Sequence, residues 1–121
     1  MRSKKQEKKE FDLDEAFVLW YNTSKEGKEY LKGKDLNGNK IIGFYNKEKT
    51  NEKQPDIQLY QEDKKGNIGD KVVSLWINKS KEGKEYLTGE TNESEKIVAF
   101  FGKEKSPESK IPYITGYFKE D

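Results

Sequence analysis

Ser24-Lys25-Glu26-Gly27-Lys28-Glu29-Tyr30-Leu31 occurs twice in this chain: residues 80–87 read Ser-Lys-Glu-Gly-Lys-Glu-Tyr-Leu without a change. The likeness extends on both sides. Leu19-Trp20 returns as Leu75-Trp76, Asn22 as Asn78, Gly33 as Gly89, Lys40-Ile41 as Lys96-Ile97 and Phe44 as Phe100. Lys47-Glu48-Lys49 returns as Lys103-Glu104-Lys105, and after one inserted residue Pro55, Ile57 and Tyr60 match Pro112, Ile114 and Tyr117. Matches held in one frame mark a duplicated structural unit.

Each copy reads as four strands. The first spans Phe17 to Asn22, or Val72 to Asn78. A Lys-Glu-Gly turn follows, in which Gly27 or Gly83 is free to take positive φ. The second strand is Lys28 to Lys34, or Lys84 to Glu90. Asn37-Gly38 is a type I′ hairpin signal, and residues 92–95 make a softer turn in the second copy. The third strand is Lys40 to Asn46, or Lys96 to Gly102. A polar loop with a proline leads to the fourth, Asp56 to Gln61 or Pro112 to Lys119. Residues 12–17 read either as a turn of helix or as the lead into the first strand. No segment carries a helical apolar stripe of useful length. The organisation is therefore a basic disordered arm at 1–11, a first β repeat at 12–63, a linker at 64–70 and a second β repeat at 71–121.

Four short strands bury too little to stand alone. The expected fold is all-β: two tandem four-stranded antiparallel β-meander repeats, packed as a pseudo-symmetric sandwich or flattened barrel around one core. Alternation assigns the faces. Leu19, Leu31 and Ile41, with Leu75, Leu87 and Ile97, form the core set. Trp20 and Tyr30, with Trp76 and Tyr86, point to the opposite face.

Hydrophobic residues are only 31% of the 121 and charged residues 39%, a balance that favours one thin core. Disorder is the rival reading of so polar a chain. Seven Tyr, six Phe and two Trp, gathered in short runs, oppose it. Net charge is +1, so no global field attracts a polyanion, and such a site has to be a local patch. The clearest local excess is at the start, where Arg2, Lys4, Lys5, Lys8 and Lys9 face only Glu7 and Glu10.

The chain has no Cys and no His. Disulfides, thiol nucleophiles and imidazole proton shuttles are thereby excluded. Ser24 and Ser80 stand next to Lys25 and Lys81, but a turn hydroxyl that bonds its own backbone is the ordinary role of such a serine. Asp35-x-Asn37-x-Asn39 lacks the Gly and Glu of a calcium loop. No Gly-rich phosphate loop is present. The expectation is a non-enzymatic protein without a cofactor or metal. No apolar run has transmembrane length and no apolar segment follows the basic start, which points to a cytoplasmic location.

Aromatics interleaved with Lys on one sheet face make a stacking platform for unpaired bases, with ammonium groups for the phosphates. The candidate binding residues are Trp20, Lys28, Tyr30 and Lys32 in the first copy, and Trp76, Lys84 and Tyr86 in the second. The competing reading places these rings in the core or between sheets.

The pattern Trp76, Ser80, Tyr86-Leu87, preceded by Pro55-Asp56 and Tyr60, resembles a small bacterial family of plasmids and integrative elements, domain of unknown function 736. The resemblance spans roughly residues 17 to 118, although this chain carries the Lys-Glu-Gly turn in both copies. It implies a mobile-element setting and no established activity. Three functions follow as expectations. The first is binding of single-stranded DNA or RNA. The second is an anti-CRISPR or other anti-defence inhibitor that binds a host defence protein, with Glu26, Glu29, Glu82 and Glu85 as phosphate mimics. The third is a structural or assembly role, with exposed sheet edges pairing to another copy; the chain itself is expected as a monomer or homodimer.

Overall fold

A computed structural model describes residues 14–119 of the chain. The basic arm at 1–11 lies outside the described residues. Among the described residues every regular element is a strand: β1 (Asp14–Thr23), β2 (Glu29–Asp35), β3 (Lys40–Tyr45), β4 (Ile57–Glu62), β5 (Ile68–Lys79), β6 (Glu85–Thr91), β7 (Lys96–Phe101) and β8 (Ile114–Phe118). The all-β expectation holds. The strands follow one another in sequence order and β8 returns to pair with β1, which closes an antiparallel barrel. Of the two architectures expected, a sandwich of separate sheets and a barrel, the strands build the barrel. Pairing of β4 with β5 and of β8 with β1 leaves the described strands without a free edge, so edge-to-edge assembly has no template here.

Closure bends the strands at defined points. The β1–β8 register skips between Glu15 and Phe17, leaving Ala16 as the extra residue. The β4–β5 register skips in the same way, with Leu59 opposite Val73 but Tyr60 opposite Lys71, leaving Val72 extra. Ala16 and Val72 occupy corresponding places in the sequence repeat. An unpaired residue sharpens local twist and lets a sheet curl. Residues 14–17 are thus strand, not helix.

The segment 64–70, expected as a linker, contains a turn and the start of a strand. Asp63 to Asn67 forms a tight turn and β5 already begins at Ile68. Its chemistry is shared by five connections. In each, a Ser, Asp or Thr opens the turn, its N–H bonds the carbonyl four residues on, and its side-chain oxygen accepts N–H groups two and four residues on. Ser24, Asp35, Asp63, Ser80 and Thr91 are those residues. The fourth residue of each turn needs positive φ, which Gly27, Gly38, Gly66 and Gly83 supply at 83–86° and Ser94 at 68°. Asn37 is absent from the positive-φ set, so the expected type I′ hairpin is instead a three-residue loop, Leu36 to Gly38, closed by Asp35 and Asn39. The same N–H donors hold the Asp63 carboxyl below its ordinary range, the bonds from Asn67 being the strongest.

The core is the barrel interior. Leu19, Leu31, Leu75 and Leu87 are 0% exposed, with Ile41 at 2% and Ile97 at 1%. All six core residues assigned from alternation are buried. At two corresponding cross-strand positions the same space is divided differently. Val73 faces Leu59, whereas Phe17 faces Gly116, and the Phe17 ring lies where a Gly116 side chain would stand. A large ring beside no side chain replaces two medium side chains, so packing density is kept.

Candidate functional site

The outer surface of β1–β4 carries two adjacent cross-strand rows. One runs Trp20–Lys32–Ile42–Tyr60, the other Asn22–Tyr30–Phe44–Gln58. On β5–β8 the corresponding rows are Trp76–Thr88–Val98–Tyr117 and Asn78–Tyr86–Phe100–Thr115. The alternation that sends Leu19, Leu31 and Ile41 inward sends these side chains outward. Phe44 packs on Tyr60 with centroids 6.0 Å apart and planes tilted by 56°; Phe100 and Tyr117 repeat this at 6.1 Å and 54°.

Trp20 and Lys32 are therefore direct neighbours, and Tyr30 sits on the next row beside Phe44. Lys28 and Lys84 lie at the exposed tips of turns, each with its backbone N–H on the turn serine. β1 and β5 are four strands apart in either direction around the barrel, so the Trp20 and Trp76 clusters occupy opposite walls. Phe44, Tyr60, Phe100 and Tyr117 complete the two clusters and are the residues the sequence reading left out. Their signal was available: each alternates with an inward neighbour in its own strand.

Neither tryptophan is in the core and neither stands free. Both are partly buried. The Trp20 Nε1–H donates to the Lys110 carbonyl at 3.2 Å, and the Trp76 Nε1–H to the Lys53 carbonyl at 3.1 Å. The long connections 46–56 and 102–113 thus fold back over β5 and β1 respectively. The Asp56 N–H donates to the Leu75 carbonyl, and the Tyr113 N–H to the Leu19 carbonyl. An indole whose polar atom is occupied still offers its ring edge, but it works first as a pin for the loop.

The charges differ between the walls. The β1–β4 strands present Lys32, Lys34 and Lys40 outward, with Glu62 as counter-charge 3.4 Å from Lys32. On β5–β8, Thr88 replaces Lys32, and Lys96 is paired with Glu90. Phe100 is 46% exposed there. Among the described residues no group of three or more acidic side chains is placed to hold a metal ion, and no helix is long and apolar enough to cross a membrane.

A third cluster closes one mouth of the barrel. Tyr21 of β1, Tyr45 of β3, Phe101 of β7 and Tyr113 gather there, with Tyr113 edge-on to Tyr21 at 5.9 Å and 5.4 Å from Phe101. The Tyr21 hydroxyl donates to Glu29 Oε2 at 2.6 Å. That bond, with burial and the nearby carboxylate, pushes the Tyr21 phenol up to about 12 from 10.0. The same bond, assisted by Lys105 and Lys47, holds Glu29 below its ordinary range. Burial first, then the neighbouring phenol of Tyr113, raises Tyr45; burial first also raises Tyr113.

The alkaline behaviour follows. A folded-state pKa above the unfolded one means that the Tyr21 contribution is intact below about 10 and lost as pH rises through about 12. Phenolate absorbance should show late-ionising tyrosines, and Tyr21→Phe should remove one of them while flattening the loss of stability above pH 10. An unchanged late phase in Tyr21→Phe would place the shifted phenol elsewhere.

Compared with protein-family profiles, curated proteins and solved structures, the chain matches none.

Proposed function

We propose that this is a non-enzymatic binding module whose β1–β4 outer wall takes single-stranded nucleic acid. The observation that carries the reading is the register placing Lys32 between Trp20 and the Ile42–Tyr60 pair, with Tyr30 and Phe44 on the adjoining row. Rings on a twisted sheet accept bases by stacking, and flanking lysines meet the phosphates. Lys34 and Lys40 extend the basic surface along the same wall. We read the chain further as two four-strand copies fused into one pseudo-symmetric barrel. The matched registers and bulges at Ala16 and Val72 support that reading. On it, Trp76, Lys84 and Tyr86 mark a second, less basic wall. The mobile-element setting rests on the family resemblance.

The test is oligonucleotide binding by fluorescence anisotropy at several salt concentrations. Tyr30→Ala and Phe44→Ala should each cost about 1–3 kcal/mol of binding. Lys32→Ala should lower the slope of log affinity against log salt by about 1. Tyr86→Ala should cost less than Tyr30→Ala, because its wall has Thr88 in place of Lys32. No binding at low salt, with the fold intact, removes this reading.

A specific observation favours the second reading, a protein-directed inhibitor. Phe100, with Val98 and Tyr117 beside it, leaves an apolar surface on the less charged wall. Exposed aromatics on a lightly charged face suit a protein partner. Phe100→Glu would abolish inhibitor action while leaving oligonucleotide binding on the opposite wall unchanged.

A further inference from the structure

At the mouth closed by Tyr21, Tyr45, Phe101 and Tyr113, a cation is already in place. The Lys105 ammonium lies 5.2 Å from the Tyr21 ring centroid and 5.8 Å from that of Tyr45. It is 3.5 Å from Glu29 Oε2. Ammonium groups within about 6 Å of aromatic faces are attracted by the ring quadrupole, and aromatic cages for alkylammonium ligands use this geometry with a carboxylate alongside. Tyr45 adds a second indication. Its hydroxyl is buried and has no hydrogen-bond partner. A buried polar atom without a partner is costly, and here it sits in the wall of the cage.

The other half of the chain supplies an internal control. Lys49 corresponds to Lys105, Asp56 to Tyr113, Ile77 to Tyr21 and Phe101 to Tyr45. There, Lys49 reaches the Asp56 carboxylate at 3.0 Å, and Asp56 Oδ2 accepts the Ile77 N–H at 2.8 Å. An ordinary ion pair therefore suffices to hold the loop lysine in this fold. At the second position that carboxylate is a tyrosine and the aliphatic side chain is another, so the loop lysine meets rings instead. Loop anchoring does not require this exchange.

We infer that this barrel mouth is a binding site for an organic ammonium group, primary or methylated, and that Lys105 occupies it until such a ligand displaces it. The Lys105 side chain is 45% exposed and belongs to the 102–113 connection, so it leaves by rotating its own stem. Glu29 keeps the Tyr21 hydroxyl bond after the exchange, and Lys47 remains 3.7 Å from its other oxygen. A quaternary ammonium, weakly hydrated, exchanges water for rings at lower cost than a primary one. An internal competitor lowers the apparent affinity by the fraction of molecules in which the cage is open.

The experiment is an NMR titration with tetramethylammonium chloride against sodium chloride at equal ionic strength. In the wild-type chain the ε-methylene protons of Lys105 should start upfield, shifted by the ring currents, and move to ordinary values as tetramethylammonium is added. Lys105→Ala should bind the ion about tenfold more tightly than wild type, since the competitor is gone. Lys103→Ala, on the same loop, should bind as wild type. Glu29→Gln in the Lys105→Ala background should reverse the gain. A short peptide with trimethyl-lysine, run in parallel, assigns the source: tighter binding than the free ion points to a protein side chain, equal binding to a free amine. Equal affinities of wild type and Lys105→Ala overturn the inference, as does a Lys105 signal that does not respond to the ion.

Discussion

Leu75→Ala is expected to lose about 2–5 kcal/mol of unfolding free energy, the range for deleting a fully buried leucine. Leu75 is 0% exposed and faces the barrel interior on the strand that follows the β4–β5 turn. Its backbone carbonyl also accepts the Asp56 N–H, which ties the 46–56 loop to β5. Truncation leaves a cavity in a core with little else to collapse into it, so the upper half of the range is expected. Domains of this size hold about 5–15 kcal/mol in total, and the variant would sit close to unfolding. Urea denaturation with an unchanged slope and a lower midpoint is the expected observation. Leu36→Ala is the control: Leu36 is 60% exposed, and its loss should stay within about 0.5 kcal/mol. A Leu75→Ala cost below about 1 kcal/mol would mean that β5 turns its other face inward.

The second large effect belongs to Gly33→Ala. Gly33 lies opposite Leu19 in the β1–β2 pair, and a side chain built there would overlap the Val18 carbonyl oxygen and crowd its carbon. The obstacle is backbone, so no rotamer change relieves it. Overpacking a tight site costs about 1–3 kcal/mol, occasionally more; an obstacle of backbone places this variant at or above the top. Gly89→Ala should behave alike, because the Ser74 carbonyl occupies the corresponding place. Thermal melts of both variants and of Gly69→Ala form the comparison: at Gly69 the nearest atom is 3.5 Å away, and φ is not in the left-handed region. A Gly33→Ala melt that matches the Gly69→Ala melt would show that the strands move apart freely.

Much of the architecture was written in local pattern. Leu31 stands between Tyr30 and Lys32, and Leu19 and Ile41 keep the same face beside Trp20 and Lys40; alternation has one solution when one face is buried. Gly27 and Gly83 announced their turns through residue type. Asn37-Gly38 misled because the turn is decided earlier, by the Asp35 carboxylate gathering the N–H groups of Asn37 and Asn39. Closure was not legible, since it depends on β1 meeting β8 from the far end of the chain. The tryptophans were placed on the right face, but their role was hidden: Trp20 bonds a carbonyl 90 residues away. The ammonium cage was hidden for the same reason. Tyr21, Tyr45 and Tyr113 come from three separate elements, and no spacing in the sequence brings them together.

The pairing of β1 with β8 sets Asp14 opposite Phe118. A short Gly-Ser bridge between the outer ends of these strands would therefore connect neighbours. The chain can then be reopened at the Asp63–Asn67 turn, whose residues are exposed apart from their own hydrogen bonds. Such a circular permutant would begin with β5 and end with β4, yet keep every strand pair of the original ring. Cuts at exposed tips are the ones permutation tolerates. In this barrel the order in which the ribosome delivers the strands is one choice among several that reach the same ring.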